Sequence, residues 1–198
     1  MLSTSRRVVF VLVVSLIFVC LPAAAYHQAR SVAREASKFL REVQNVPIEK
    51  VSETQVWGLW QRYHRYGALE RCTNEHCELE FHFTNAWLST FKLAPFTDLY
   101  GVFVVDKGII SGKRVGMLTQ TDIVDVWENA PTGDPFKVFA ETPHKLQIVL
   151  TSQATTKERT DAYSLDADCL IKLGGCKSTR EMNPAVADYH SSGPFTLN

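Results

Sequence analysis

Cys72, His76, Cys77 and His82 fall within eleven residues, with Glu78 and Glu80 among them. Thiolate and imidazole side chains are the ligands zinc prefers, so a metal-binding protein or a metal-dependent enzyme built on this cluster is one chemistry the chain offers. The spacing, C-x3-H-C-x4-H, matches no standard zinc module. The adjacent side chains of His76 and Cys77 are hard to aim at one tetrahedral ion. On an alternating strand, Cys77 and His82 also face opposite sides. The competing chemistry is oxidation. Cys72, Cys77, Cys169 and Cys176 are an even set outside the N-terminal segment, and in an exported domain such a set predicts two disulfides. Three pairings exist. The expected one joins sequence neighbours, Cys72 with Cys77 and Cys169 with Cys176, because Gly174-Gly175 frees the second loop to close. Loops this short stabilise by only about 2 kcal/mol each in the chain-entropy model. A Cys–His nucleophile needs an unpaired thiol, which an even set argues against.

The remaining candidates are weaker. Asp122, Asp125 and Glu128 form an acidic cluster suited to acid–base work or calcium, but a solvated strand edge is the expected reading. Ser111-Gly112-Lys113-Arg114 resembles part of a phosphate loop without its upstream glycine, and is expected to be a hairpin bend with exposed charges. Asp188, His190 and Ser191 are sequence neighbours, which seldom form a triad. His64 and His144 are isolated. Trp57 and Trp87 suit stacking on a small ligand such as a sugar or lipid, although Trp in such patterns usually packs in a core. No catalytic residue and no cofactor motif emerges.

Compartment constrains these options. The 198-residue chain is 45% apolar and 21% charged, with zero formal net charge. That is a globular composition without the basic field that attracts nucleic acid. Met1–Arg7 carries two arginines, Val8–Leu21 is apolar apart from Ser15, and Pro22-Ala23-Ala24-Ala25 follows. Residues 1–26 therefore read as a membrane anchor or a signal peptide. The apolar run is close to the length that spans a bilayer core, and Ala23-x-Ala25 would serve cleavage after Ala25. Ala29, Val32, Ala33, Ala36, Leu40 and Val43 continue at 3- and 4-residue steps. Residues 27–50 therefore read as an amphipathic helix or linker, and the continued pattern favours the anchor. Positive charge flanks both ends of the span, so the charge rule is nearly balanced. The cysteines place the domain facing the periplasm or exterior; the alternative is secretion after cleavage.

Residues 51–183 then read as one disulfide-stapled α+β domain, and 184–198 as a loose tail. Ser52 and Gln55 form a capping-box pattern. Val56, Leu59, Trp60 and Tyr63 give a helical stripe, and Gly67 is placed to end it. Leu79, Phe81 and Phe83 alternate with polar residues, as in a half-buried strand. Trp87–Leu93 reads as its partner. Further strands are expected at Leu99–Val105, Ile109–Leu118, Ile123–Trp127, Phe136–Ala140 and Leu146–Thr151, with Asp106-Lys107-Gly108 as a hairpin turn. Short connections imply a mostly antiparallel sheet of six or seven strands, open to curling into a sandwich. Short helical pieces are expected within Cys169–Met182.

Cys72–Leu93, with Phe81-x-Phe83-x-Asn85 and Trp87-Leu88, and Cys169-Leu170-Ile171-Lys172-Leu173-Gly174-Gly175-Cys176 resemble segments of exported or single-anchor extracytoplasmic proteins of acidobacterial type. The N-terminal anchor and Val46–Val56 complete the likeness. It implies no activity, ligand or site residue. A looser resemblance, to small outer-membrane assembly lipoproteins of the BamE type, rests on a Ser-x-x-Gln helix start followed by antiparallel strands. It is an analogy of fold alone. The expected function is a non-catalytic, membrane-tethered extracytoplasmic module that binds an envelope protein or assists assembly.

Overall fold

The computed structural model describes residues 4–46, 48, 53–70, 72–73, 75–129, 136–142, 144–151 and 153–186. Ser52, residues 130–135 and the Asp188, His190, Ser191 group lie outside the described residues.

One helix, α1 (Thr4–Gln44), joins the expected anchor to the expected amphipathic segment, passing through Pro22 without a break. Its 41 residues correspond to about 60 Å of helix. The first half has nothing to pack on: Phe10 and Phe18 are 70% and 74% exposed. By length and composition this helix is able to cross a membrane. The second half is buried from Ala25 onward, at Ala29, Val32, Ala33, Ala36, Phe39, Leu40 and Val43.

That second half and α2 (Glu53–Tyr63) lie on one sheet. Its strands are β1 (Gly67–Glu70), β2 (His76–Thr84), β3 (Asp98–Asp106), β4 (Ile109–Leu118), β5 (Ile123–Asn129), β6 (Phe136–Thr142) and β7 (Lys145–Leu150). The order is β1-β2-β3-β4-β5-β7-β6. The first five form an antiparallel meander, joined at Lys107 and Gly108 by a turn with positive φ at both residues, the mirror-image turn that suits a tight hairpin. The chain then skips a place. β6 takes the edge, and β7 returns between β6 and β5, parallel to β5. All seven strands share a single sheet rather than two packed ones, so the fold is α+β with helices on one face.

Phe39 fixes the helix to the sheet. Its ring stands 5.1 Å from Phe81, 5.0 Å from Phe83 and 5.3 Å from Tyr63. It sits directly over Gly101 of β3, where a Cβ would come within 2.6 Å of the ring. Only glycine leaves that hollow. Gly67 serves similarly, since a Cβ there would come within 2.5 Å of the Trp60 ring. Gly67 also ends the helical run as expected, its N–H donating to His64 O as the cap, though not in the left-handed conformation. The helix passes into a 3-10 turn at His64–Tyr66, and Gly67 is already extended (φ −108°) at the start of β1.

Trp87–Leu93 is not a strand. Ala86–Thr90 forms the short helix α3. Asn85 explains why: its side chain accepts from Thr97 N (2.8 Å) and donates to Pro95 O (2.9 Å), closing the segment into a loop. Leu88 then packs with Ala25, Ala29 and Ala94. Contact with the small residues of α1 outweighs the local alternation. After β7 come α4 (Thr156–Ala162), a 3-10 turn (Ala167–Leu170) and α5 (Thr179–Met182). Thr155 and Glu158 form a full capping box on α4. Val186 is fully buried, so the first residues of the expected tail belong to the core.

Candidate functional site

Strand alternation divides the sheet's side chains. Leu79, Phe81, Phe103, Val126 and Ile148 meet the helices in the core. The opposite parity, His76, Glu78, Glu80, His82, Tyr100, Val102, Val104, Arg114, Asp125 and Trp127, contributes nothing to that core. Among the described residues this second face is uncovered by helix, and it carries a connected set of polar side chains.

At its centre Asp125 is 3% exposed and engaged on three sides. Arg114 donates to it bidentately, Nε to Oδ1 at 2.9 Å and the guanidinium to Oδ2 at 2.5 Å. The Tyr100 hydroxyl donates to Oδ1 as well. Gly116 makes this reach possible, because a Cβ there would strike both the Tyr100 hydroxyl and Asp125. The guanidinium also stacks 4.6 Å from the Trp127 ring and 5.4 Å from Tyr100, the geometry of a cation–π contact. Burial and the neighbouring carboxylate push the Tyr100 phenol well above its ordinary range, and the Asp125 carboxylate holds Arg114 charged.

Two histidine–carboxylate pairs flank this centre. His82 Nδ1 lies 2.8 Å from Asp98, with Glu80 3.4 Å from Nε2. The Asp98 hydrogen bond raises the imidazole to about 9, against an opposing desolvation cost. His76 Nδ1 lies 2.6 Å from Asp106, and that bond raises the imidazole above its usual value. Ser111 donates to the other oxygen of Asp106. The carboxylate thus stands between serine and histidine. A serine nucleophile requires the histidine in the middle, so this arrangement is not a triad.

A hollow of about 390 Å³ opens on this face, lined by Glu78, Glu80, Val102, Val104, Arg114 and Trp127. Its floor is apolar and its rim acidic on one side. Glu70 directly faces Glu78 across β1 and β2, which adds to the negative edge. This chemistry recognises donors and cations.

The two disulfides form with the expected sequence-near pairing. Cys72 is joined to Cys77 and Cys169 to Cys176, with Cα–Cα separations of 4.0 and 5.3 Å. His76 and His82, six residues apart on β2, are separated by about 20 Å and engage different carboxylates. The Cys72, His76, Cys77, His82 cluster is therefore not brought together as ligands. Asp166 also lies near both sulfurs of the second disulfide, but its carboxylate accepts from Asp168 N.

The acidic cluster is a correction. Asp122, Asp125 and Glu128 are at most 3% exposed and none is solvated. Each has its own partner: His144 for Asp122, at 3.0 Å, Arg114 for Asp125, and Lys113 for Glu128, at 2.8 Å. Alternation along β5 sends Asp125 to the open face and Glu128 into the core. The expected bend at Ser111–Arg114 is likewise mid-strand in β4. Lys113 is 1% exposed. Its ammonium donates to the carbonyls of Val43 and Val46 at 2.9 and 2.8 Å, satisfying the C-terminal end of α1. Tyr163 donates to Glu128 at 2.8 Å, and Arg159 contacts its other oxygen. Burial and Arg159 hold Lys113 well below the ordinary lysine value. This network ties α1 to the sheet interior and has no solvent access.

Of the aromatic candidates, Trp57 packs beside the core. Trp87 is 52% exposed. His64 bonds the Gln61 carbonyl. The open-face group of Tyr100, Arg114, Asp125 and Trp127 was missed as a unit, because its members come from three strands. The signal available in sequence was the parity of Glu78, Glu80 and His82 along β2. Comparison with family models, with curated proteins and with solved structures finds no match.

Proposed function

We propose that this protein is a non-catalytic, membrane-tethered extracytoplasmic module that binds an envelope protein through the open face of its sheet. One observation carries the reading: among the described residues the helices cover one side of the sheet, and the other side presents a hollow with an apolar floor at Val102 and Val104, acidic walls at Glu78 and Glu80, and Arg114 held at its edge by Asp125. An apolar patch framed by fixed polar groups is the anatomy of a recognition surface. The carboxylates favour a partner segment that offers lysine or arginine. The continuous α1 and the two cystine loops support an uncleaved tether and a domain facing the periplasm or exterior. The hollow of about 600 Å³ between α1 and α2 is less suited, since Glu42 there is already bonded to Arg62 and Tyr63.

Photo-crosslinking in cells tests this. A benzophenone amino acid at Val102 should yield a discrete protein adduct that Glu80→Lys abolishes, while the same probe at exposed Thr156 yields none. An adduct at Thr156 with none at Val102 would reject the open face. Turnover of an envelope substrate by the purified chain would reject the non-catalytic reading.

A further inference from the structure

The exposed half of α1 and the folded domain meet within one helical turn. Leu21 is 42% exposed and Ala25 is fully buried, a separation of about 6 Å along the axis. Ala25 packs against Leu88 and Ala94, with Phe91, Leu93 and Ile171 around them. Two parts of the domain therefore flank α1 where it leaves its apolar stretch: α3, and the Cys169–Cys176 loop.

Both parts display large apolar side chains to solvent. Trp87 on α3 is 52% exposed and stacks 6.1 Å from Phe91. Leu173, near the tip of the cystine loop, is 65% exposed. It shares a hollow of about 610 Å³ with Tyr26, itself 41% exposed. Gly174 and Gly175 take positive φ beside Leu173, and Gly175 lies so close to Pro95 that no side chain would fit. The loop is thereby pressed against the segment that follows α3. Exposed Arg30, Lys92 and Lys177 lie four or five positions along the chain from Tyr26, Trp87 and Leu173 respectively.

We infer that Tyr26, Trp87 and Leu173 form a contact surface for the lipid interface of the membrane that α1 enters, holding the domain flush against the headgroups. This rests on the reading of α1 as an uncut anchor. The surface is continuous with the span. Trp and Tyr favour the headgroup level, and lysine and arginine beside them complement anionic lipid. Without this contact a domain on a single helix would tilt freely. With it, the open sheet face keeps a fixed direction relative to the bilayer.

The test uses the full chain reconstituted in vesicles of mixed zwitterionic and anionic lipid, with bromine on the acyl chains near the headgroups. Flotation first reports whether the chain stays with the lipid. Tryptophan fluorescence should then be quenched. Trp87→Phe should remove that quenching and Leu173→Asp should weaken it, while Trp57→Phe leaves it intact. Flotation with no quenching, or with quenching unchanged by Trp87→Phe, overturns the contact surface and leaves the anchor standing. Failure to float removes the anchor, and the inference with it.

Discussion

His82 sits between Asp98 and Glu80, and its protonation belongs to the folded state. The imidazole is raised from 6.5 to about 9, so the folded chain binds this proton more tightly than the unfolded chain does. The resulting stabilisation is fully present below pH 6.5 and is lost as pH rises through about 9. The ring is 43% exposed, so solvent screening keeps the effect small. An NMR titration of the His82 ring should show a midpoint near 9, and Asp98→Asn should lower it. A midpoint at the ordinary histidine value would show that the Asp98 bond does not persist in solution. Single residues of this kind were partly legible in the sequence. Alternation along β2 put His82 on the wet face beside Glu80. Asp98, sixteen positions away, became its partner only through the β2–β3 register.

At the scale of elements, the contact between α1 and β3 decides whether the domain closes. Phe39 fills the hollow over Gly101, and Lys113 holds the last carbonyls of α1 from within the sheet. Gly101→Ala should destabilise the fold by about 1–3 kcal/mol, the usual cost of inserting a methyl group into a packed core. A denaturant midpoint unchanged from wild type would contradict the packing described. The elements themselves were legible where one period ran for several residues, as in α1 and in β2 to β5. They were hidden where a distant contact overrode local pattern. Ala86–Thr90 turns helical because Leu88 meets Ala25 and Ala29. Ser111–Arg114 reads as a charged bend until Glu128, across the strand, supplies the counterion that lets Lys113 enter the core. The crossing of β6 past β7 depends on pairing that no single segment encodes.

For the whole molecule, one helix has two unlike halves. Its first half presents apolar side chains on every side, and its second half buries one stripe of small and aromatic residues under the sheet. Cleavage after Ala25 would remove the residue that packs on Leu88 and Ala94, which favours an intact chain. The two cystine loops close short segments, one at the start of β2 and one beside α1. They fix local surfaces more than they hold the domain together, and disulfides of this kind are typical of an oxidising compartment. On the proposed reading, an uncut tether carries an oxidised domain outside the cytoplasm. The deciding measurement is the intact mass, without reductant, of the chain extracted from membranes. The expected species retains residues 1–25 with all four domain cysteines in disulfides. A species beginning at Tyr26, or one with four free thiols, would contradict it.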